Sequence, residues 1–366
     1  MIFTGVSASR VITNEPLSEH SSIEIGGPAD YYFEAKTEEE LVWAIESAKK
    51  QRLDFFVLGD GSNILFSDTG YRGLVVRFVA KSIHFSEPLS GRVEVKAEAA
   101  VSWDTFVSLC VQKGLSGVEC LSGIPGSVGA TPVQNIGAYG QEVGESIVSV
   151  RVYDTEQQRV VDLSKKECGF GYRTSNFKRL WRKRYVVMTV TFSLLSSETG
   201  SVKYEELRSL LAERGEEPTL EAIRAAVLTL RKKKAMVLST DEPYSRSVGS
   251  FFTNPVISLE QSNALDEQLK VRNLKLVRWP SADGKVKLSA AWLIEQAGFP
   301  KGYQRGSVGL SSKQALAIVN LSHASANDVI NLATDIQAAV FEHFGVRLFP
   351  EAECVGFDTL PSVFRQ

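Results

Sequence analysis

The hydrophobic positions of this chain follow a helical period in some segments and a strand-like pattern in others. Apolar residues recur at every third or fourth position in 41–48, after a capping box at 37–40, which predicts an amphipathic helix to about Lys50. Short apolar runs predict strands at 55–58, 74–78, 93–97, 147–153, 160–163 and 185–192. Further helices are predicted at 102–113, 219–234, 258–268, 290–296 and 328–344. The strands cluster instead of alternating with helices, which indicates an α+β protein.

Composition and charge exclude several classes of protein. The 366 residues, 43% of them hydrophobic, are enough for two or three domains with cores of their own. A formal net charge of −2 argues against a nucleic-acid partner, and no stretch approaches the ~18 uninterrupted apolar residues of a membrane span. The four cysteines form no C-x-x-C pair, and none of the four histidines lies near a cysteine. We therefore expect reduced thiols, no metal site and a soluble cytoplasmic protein without membrane insertion.

The stretch 120–140, CLSGIPGSVGATPVQNIGAYG, is the most unusual part of the sequence, because it is rich in glycine and proline and nearly uncharged. Glycine permits a positive φ and a close approach of the backbone to a ligand, at a cost in conformational entropy. A mobile linker is the alternative interpretation, but the interleaved apolar residues, such as Ile124, Val128 and Tyr139, are not typical of one. The pattern therefore predicts a backbone surface that fits a large ligand.

A second glycine turn, GDGSN at 59–63, follows the predicted strand 55–58. It is not a Rossmann fingerprint, because Ile64 occupies the place of the third glycine and the next residues indicate a strand instead of a helix. The chain has no P-loop motif either. Backbone N–H groups of this turn, with Ser62 and Asn63, are suited to an anion-binding nest. Two such turns about 60 residues apart favour one long ligand with a diphosphate, such as FAD, although an ordinary β-turn also explains the first.

At these two turns the sequence resembles the UDP-N-acetylenolpyruvoylglucosamine reductase family, whose members are flavoenzymes of bacterial peptidoglycan precursor synthesis. Six separated motifs carry the resemblance over nearly the whole chain: IGGPAD at 25–30, LGDGSNIL at 58–65, IPGSVGA and QNIGAYG within 124–140, FGYRTS at 170–175, GSFFTNP at 249–255 and AWLIE at 291–295. Segment 21–25 departs from the family, which usually has threonines and a larger apolar residue there. Six motifs in order are far more specific than one glycine pattern.

The resemblance implies a fold and a set of partners. The expected fold is α+β, with a non-Rossmann FAD-binding fold of the vanillyl-alcohol-oxidase/PCMH type and a smaller α+β substrate-binding domain. The expected divisions are a first FAD-binding subdomain at 1–80, a second at 81–232 and the substrate-binding domain at 233–349, with the tail 350–366 returning to the first. FAD is the implied cofactor, NADPH the implied hydride donor and a nucleotide sugar the implied substrate of a monomeric enzyme.

The resemblance also implies the residues that contact the ligands. The implied FAD contacts are Gly59, Gly61, Ser62, Asn63, Ile64, Ile124, Pro125, Gly126, Gly129, Ala130, Gln134, Asn135, Gly137, Ala138 and Tyr139. The implied contacts to substrate are Tyr204, Lys234, Asn254, Lys301 and Gln314, the last two aligned through helices. Tyr204 suggests the subclass with a substrate-covering tyrosine loop. Lys234 ends a basic run, 231–234, that a solvated helix C-terminus also explains.

Three catalytic residues follow from the same resemblance. Arg173 would hold and polarise the substrate carboxylate, and Ser250 would give a proton to the carbon next to it. Glu351 would stabilise the enol form or assist protonation. Without the resemblance, a surface arginine would be the preferred interpretation of Arg173, and a turn residue would explain Ser250 as well as a proton donor does. The family usually has a basic residue where this chain has Glu353, and in a strand Glu353 would face the same side as Glu351, so Glu353 is the rival acid.

Two other functions are compatible with parts of the pattern. Another FAD-linked oxidase of the same fold, such as an alcohol or sugar oxidase, would leave Ser250 and Glu351 unexplained. A non-catalytic protein that binds a nucleotide sugar or another anion would use the glycines and lysines for phosphate alone. A flavin absorption band separates both flavoenzymes from this last alternative.

Overall fold

The computed structural model describes residues 3–237 and 244–365. Its strands, in chain order, are β1 (Ile12–Pro16), β2 (Pro28–Ala35), β3 (Phe55–Leu58), β4 (Ile64–Phe66), β5 (Tyr71–Phe78), β6 (Ile83–Phe85), β7 (Arg92–Glu98), β8 (Leu115–Ser116), β9 (Gly137–Ala138), β10 (Gln141–Glu142), β11 (Ile147–Asp154), β12 (Arg159–Ser164), β13 (Tyr185–Ser196), β14 (Val256–Ile257), β15 (Arg278–Pro280), β16 (Val286–Leu288), β17 (Gln304–Arg305), β18 (Val308–Leu310), β19 (Ile318–Asn320) and β20 (Glu353–Val355). The α-helices are α1 (Glu38–Lys50), α2 (Trp103–Gln112), α3 (Thr131–Gln134), α4 (Lys165–Cys168), α5 (Asn176–Arg179), α6 (Glu205–Arg214), α7 (Leu220–Lys233), α8 (Leu259–Lys270), α9 (Ala290–Gln296) and α10 (Ala326–Phe344). Short 3-10 turns lie at Val6–Arg10, Leu17–His20, Glu119–Leu121, Val128–Ala130, Val143–Glu145, Ala282–Gly284 and Ser362–Phe364.

The described residues separate into two compact units. The first unit contains 3–15, 28–61 and 71–237, and the second contains 16–27, 62–70 and 244–365. The boundary between them falls inside the glycine turn 59–63, after Gly61. The sequence predicts three parts, two of them FAD-binding subdomains within 1–232. This finer division stays a prediction. Among the described residues, no helix has both the length and the apolar character needed to cross a membrane.

The first sheet of the first unit has the strand order β1-β2-β5-β3, with β5 parallel to both β2 and β3. Helix α1 covers it, and its apolar positions Leu41 and Ile45 are fully buried in the core that the sheet shares. The Thr37 hydroxyl accepts from the Glu40 N–H, as the sequence predicts. The Glu40 carboxylate, however, accepts from the Lys36 N–H, so only half of the predicted capping box forms.

The second sheet of the first unit is antiparallel, in the order β12-β11-β13-β7-β6, with β8 also paired to β13. Strand β7 alternates exposed and buried side chains, because one of its faces packs on α2. Trp103 and Phe106 of α2 are fully buried there, with the Phe106 ring centroid 4.6 Å from that of Phe192. Ser102, a residue type suited to a cap, stands at the start of α2, but its side chain makes no capping hydrogen bond.

Helices α6 and α7 complete the first unit. Their buried face comprises Leu207, Leu211, Ile223, Val227 and Leu230, and it encloses Cys120 at the start of the glycine-rich stretch. Thr219 caps α7, since its hydroxyl accepts from the Ala222 N–H. This packing brings the C-terminal turn of α7 against the residues that precede 124–130.

The second unit is built around α10, whose capping box of Ser325 and Asp328 is complete. Two antiparallel three-stranded sheets accompany it, β14-β16-β15 and β17-β18-β19. A parallel pair joins β20 to β4, so the tail of the chain returns to residues 64–66.

All four cysteines are free thiols, and burial raises the pKa of each, to about 12 for Cys110, Cys120 and Cys168.

Candidate active site

The two glycine turns meet inside the first unit. A Cβ added to Gly59, directly after β3, would lie 3.2 Å from the Ser127 Oγ and 3.8 Å from the Ala130 Cβ. The 3-10 turn Val128–Ala130 is fixed by hydrogen bonds from the Val128 and Gly129 N–H groups to the segment before α2. The sheet and α2 therefore hold the two turns side by side, as one extended ligand requires.

The meeting point carries hydrogen-bond donors that the protein leaves unused. Among the described residues, the backbone N–H groups of Ile124, Gly126 and Ser127 donate to no acceptor. Gly126 has φ +118°, a conformation that L side chains rarely adopt. Buried or half-buried backbone donors are nearly always paired, so a run of unpaired donors marks a place for an anion. These residues fit the diphosphate of FAD.

Asp60, at the second position of the first turn, is a carboxylate that the sequence reasoning did not use. Burial raises its pKa, while the charges of Arg77 and Lys81 act in the opposite direction. The Arg77 Nη2 lies 3.6 Å from its Oδ1. Arg77 therefore offsets a negative charge that would otherwise face a diphosphate at this turn.

Part of the glycine content of 120–140 has a cause other than a ligand. A Cβ on Gly129 would lie 2.4 Å from the Ala99 Cβ, and one on Gly137 would lie 3.0 Å from the Arg173 Nη1. These two glycines are required by the close approach of the protein's own groups. Ligand fit explains Gly59 and Gly126 better than it explains Gly129 and Gly137.

Asn135 has a structural task at the end of α3. Its side chain is 1% exposed, its Nδ2 donates to the Glu142 carboxylate at 2.7 Å and the Gly171 carbonyl at 3.0 Å, and its Oδ1 accepts from the Gly144 N–H at 2.8 Å. These bonds occupy both ends of the amide. Asn135 thus ties the glycine-rich stretch to the turn that carries Arg173.

Arg173 lies in the tight turn Gly171–Thr174 and has φ +53°. Its Nη2 donates to the Gly137 carbonyl at 2.6 Å. A non-glycine residue at positive φ is uncommon and occurs often at functional sites. The structure therefore brings the predicted catalytic arginine against the predicted FAD-binding stretch.

A cluster of predicted ligand contacts surrounds the hairpin β9–β10. Tyr139 stands at its tip with φ +48°, and its ring centroid lies 5.5 Å from that of Tyr204, edge to face. The Lys234 Nζ lies 5.9 Å from the Tyr139 ring centroid and pairs with the Glu206 carboxylate at 2.8 Å. Burial raises the pKa of Tyr139 to about 12, so this phenol stays neutral near pH 7. The first unit therefore brings Tyr139, Tyr204 and Lys234 together.

In the second unit, Ser250 and Glu351 lie on neighbouring segments. The Glu351 N–H donates to the Phe251 carbonyl at 2.7 Å, and the Asn63 Nδ2 donates to the Glu351 carbonyl at 3.2 Å. Asn63 also accepts from the Glu353 N–H at 2.9 Å. The structure thus unites these predicted FAD-binding and catalytic residues. Glu351 precedes β20, which begins at Glu353, so the expected strand with both carboxylates on one face does not form.

The predicted substrate contacts of the second unit are more dispersed. The Asn254 Oδ1 accepts from the Ala290 N–H at 2.9 Å, at the start of α9. Lys301 is exposed in a turn after α9, and Gln314 is half-buried in a turn between β18 and β19. The roles of Lys301 and Gln314 as substrate contacts stay predictions. The other implied FAD contacts lie in both units. Gly61 is the last residue of the glycine turn in the first unit, while Ser62 and Ile64 belong to the second unit. In the first unit, Pro125 precedes Gly126, Gln134 ends α3 and Ala138 lies on β9.

The sequence reasoning missed three charged residues of the first unit: Asp104, Glu206 and Arg231. Asp104 and Arg231 hydrogen-bond the Gly123 backbone, and Glu206 pairs with Lys234. Arg231 carried a usable signal, because it falls four residues after Val227 and eight after Ile223, on the buried face of α7.

Comparisons with known proteins agree with this geometry. Residues 29–164 match the family model described as FAD binding domain, and residues 241–355 match UDP-N-acetylenolpyruvoylglucosamine reductase, C-terminal domain. The UDP-N-acetylenolpyruvoylglucosamine reductase of Thermobifida fusca is 42% identical over 348 residues, which cover 94% of this chain and 97% of that protein. That of Salinispora arenicola is 42% identical over 343 residues, covering 92% of this chain and 93% of that protein.

A solved structure supports the fold. The crystal structure of UDP-N-acetylenolpyruvylglucosamine reductase from Thermus caldophilus matches with a TM-score of 0.63 and 24% identity, covering 94% of this chain and 98% of that chain. The fold and the site therefore define an FAD-binding oxidoreductase whose cofactor domain is not of the Rossmann type. The chain belongs to the UDP-N-acetylenolpyruvoylglucosamine reductase family. The predicted family, fold class and FAD cofactor are confirmed.

Proposed function

We propose that this protein catalyses the NADPH-dependent, FAD-mediated reduction of the enolpyruvyl group of UDP-N-acetylglucosamine enolpyruvate to UDP-N-acetylmuramate, in peptidoglycan precursor synthesis. The observation that carries the proposal is the meeting of Gly59 with Ser127 beside three unpaired backbone N–H groups, in a chain of this family. When bound, FAD supplies the hydride chemistry between NADPH and the carbon–carbon double bond. The residues of the chain bind the ligands, orient them and move the proton.

Arg173 holds the substrate carboxylate in this proposal. Its hydrogen bond to the Gly137 carbonyl uses one Nη2 donor and fixes the guanidinium in place. A planar guanidinium matches a carboxylate in a bidentate manner and stabilises the negative charge that grows on the substrate as the double bond is reduced. Charge stabilisation by a fixed group needs little reorganisation during the reaction.

Ser250 donates the proton to the carbon next to that carboxylate. The Phe251 N–H donates to the Leu316 carbonyl at 2.7 Å and Gly249 has φ +74°, so the backbone on both sides of the serine is fixed. Among the described residues, the Ser250 Oγ makes no hydrogen bond that would hold it in another role. A hydroxyl is a weak acid, so this step depends on a strongly basic acceptor and close positioning.

Glu351 assists protonation, with Glu353 as the rival. The backbone of both residues is hydrogen-bonded, but the Glu351 side chain is half-buried, whereas the Glu353 side chain is exposed. A carboxylate partly shielded from water suits a catalytic role better than an exposed one. Comparing Glu351→Gln with Glu353→Gln in turnover assays tests the choice, and a larger defect in the second variant overturns it.

Four residues, Tyr204, Lys234, Asn254 and Lys301, contact the diphosphate and uridine of the substrate, and Gln314 lies near the base. The edge-to-face contact of Tyr204 with Tyr139 supports the tyrosine-loop subclass, because it puts an exposed aromatic side chain beside the predicted FAD-binding stretch. We also propose that the protein works as a monomer in the cytoplasm. Gel filtration at micromolar concentration tests the first point, and a dimeric mass contradicts it.

Separating the two half-reactions tests the proposed function. The purified protein should show a flavin absorption band that NADPH bleaches anaerobically and that the enolpyruvyl substrate restores. Ser250→Ala should leave bleaching unchanged and slow the restoration by ~10²-fold, the scale expected for losing an acid catalyst. Ser322→Ala, which changes an exposed serine of the same unit, is the control. A chain that takes up no FAD, or equal restoration rates in Ser250→Ala and parent, refutes the corresponding part.

A further inference from the structure

The peptide groups on either side of Gly123 lie directly before the FAD-binding stretch 124–130, and charged side chains hold both. The Asp104 Oδ1 accepts from the Gly123 N–H at 2.6 Å. On the other side, the Arg231 Nε donates to the Gly123 carbonyl at 3.1 Å. Asp104 belongs to α2 and Arg231 to α7, so two helices fix the same residue from opposite directions.

Asp104 is itself held by a second arginine. The Arg224 Nη1 and Nη2 donate to its two carboxylate oxygens at 2.6 and 2.8 Å, in a bidentate pair. Burial alone would raise the pKa of Asp104, but the hydrogen bonds from Arg224 and Gly123, with the charges of Arg224 and Arg231, outweigh it and lower that pKa. The carboxylate is therefore charged at neutral pH and accepts the Gly123 N–H in a charge-assisted bond.

Arg231 is a buried cation whose hydrogen-bond partners are backbone carbonyls. It is 7% exposed, and besides Gly123 it donates from Nη2 to the Met236 carbonyl at 2.7 Å. Among the described residues, no carboxylate lies within ion-pair distance of it. Burying a guanidinium without a close anion is costly. A leucine would fill this position at lower cost, so we look for the role of Arg231 in the hydrogen bonds that only an arginine can donate.

Gly123 is also sterically restricted to glycine. It has φ +71°, and a Cβ there would lie 2.7 Å from the Leu228 Cδ2 and 3.4 Å from the Arg231 Cδ. The backbone at Gly123 is therefore confined to one conformation where it packs against α7. The next residues, Ile124 and Gly126, carry two of the N–H groups that have no acceptor among the described residues.

We propose that Asp104 and Arg231 are positioning residues of the FAD site, which act by fixing the Gly123 backbone and so directing the N–H groups of 124–127 toward the cofactor. Arg224 supports them by orienting Asp104. The proposal rests on FAD binding, which is part of the proposed function. Arg231→Met keeps most of the side-chain volume and removes the donors, and Asp104→Ala removes the acceptor.

The test is titration of the apoprotein with FAD, followed by quenching of flavin fluorescence. Arg231→Met and Asp104→Ala should each raise the FAD dissociation constant by roughly 10- to 100-fold, the effect of losing a hydrogen bond to a charged group. The double variant should show less than the product of the two effects, because both act through one residue. The conservative variant Arg231→Lys, which keeps the charge, should lie between parent and Arg231→Met.

Asp154→Ala is the matched control for a purely structural role. Asp154 is a buried carboxylate of the same unit, and Arg184 Nη2 donates to it at 2.9 Å, but its other partners are the N–H groups of Glu156 and Gln157. This variant should lower the melting temperature without changing the FAD dissociation constant. The proposal is overturned if Arg231→Met and Asp104→Ala bind FAD like the parent, or if Asp154→Ala weakens binding as much at an equal loss of melting temperature. A parent apoprotein that takes up no FAD instead refutes the proposed function.

Discussion

Glycine motifs in the two units look alike in sequence and serve opposite purposes. In the first unit, a Cβ on Gly59 would lie 3.2 Å from the Ser127 Oγ, a contact that a small shift of this side chain relieves, and nearby backbone donors have no protein acceptor among the described residues. In the second unit, a Cβ on Gly27 would lie 2.2 Å from the Asp68 carbonyl oxygen and 2.6 Å from the Gly70 nitrogen. The Gly27 N–H and carbonyl are both bonded, to Ser67 and Leu17. Unused N–H groups, more than glycine content, therefore distinguish a ligand surface from tight packing.

The largest expected effect comes from adding a side chain at Gly27, in the tightly packed glycine motif of the second unit. Gly27→Ala places a methyl group against backbone atoms, which cannot move aside by changing a rotamer as a side chain can. We therefore expect a loss of about 3 kcal/mol in the free energy of unfolding. Chemical denaturation measures this loss. The FAD affinity of the folded fraction should stay unchanged, and a strong loss of affinity would show that the contrast between the two motifs is wrong.

Gly59→Ala should have the reverse signature. The added methyl lies 3.2 Å from the Ser127 Oγ and φ is not positive there, so the stability change should stay below about 1 kcal/mol. Because the proposed function places the FAD diphosphate against the backbone of this turn, the FAD dissociation constant should rise at least ~10-fold. Fluorescence titration gives the affinity and thermal unfolding of the apoprotein gives the stability. A stability loss as large as that of Gly27→Ala would contradict the assignment.

Glu206 offers a smaller and opposite change on the ligand side. Its carboxylate pairs with the Lys234 Nζ at 2.8 Å, where the proposed function places a substrate phosphate. Exposed ion pairs are worth up to about 1 kcal/mol, so Glu206→Gln should lower the KM for the enolpyruvyl substrate by roughly 3-fold with kcat unchanged. Glu205→Gln, which loses a pair with Arg208 at 3.0 Å, is the control and should leave KM alone. A raised KM in Glu206→Gln would show that Glu206 helps to hold the substrate.

The smallest expected effect is the pH dependence of stability that Asp104 contributes. Its pKa in the folded protein is lowered, so its contribution is complete above the unfolded pKa of about 4 and is lost as pH falls through the folded pKa. Its side chain is 39% exposed, and solvent screening keeps the effect under about 1 kcal/mol. Denaturation of parent and Asp104→Asn at pH 6 and pH 3 should show a difference at pH 6 that shrinks at pH 3. A difference that grows at pH 3 would contradict the direction.

Local patterns predicted most of the elements and the family, while long-range packing decided the residues that were missed. Strand β11 and helix α9 follow from spacing alone, since each carries its pattern within one segment. Arg231 was interpreted as part of a solvated helix end, because a last-turn cation suits the helix dipole, whereas α7 turns that position inward. Asn135 lies in a family motif, but its side-chain amide hydrogen-bonds to Glu142, Gly144 and Gly171. The periodicity of the sequence does not predict these partners.

The parallel pair of β4 with β20 has a consequence for synthesis of the chain. Ile64–Phe66 is made early, but its partner Glu353–Val355 lies about 290 residues later, near the C-terminus. During translation, therefore, an apolar strand lacks its edge partner until about 290 further residues have been made. Such a late, non-local pairing slows folding and leaves an aggregation-prone edge in nascent or truncated chains. Truncation before residue 350 should for this reason yield insoluble protein, although it removes only the last few per cent of the sequence.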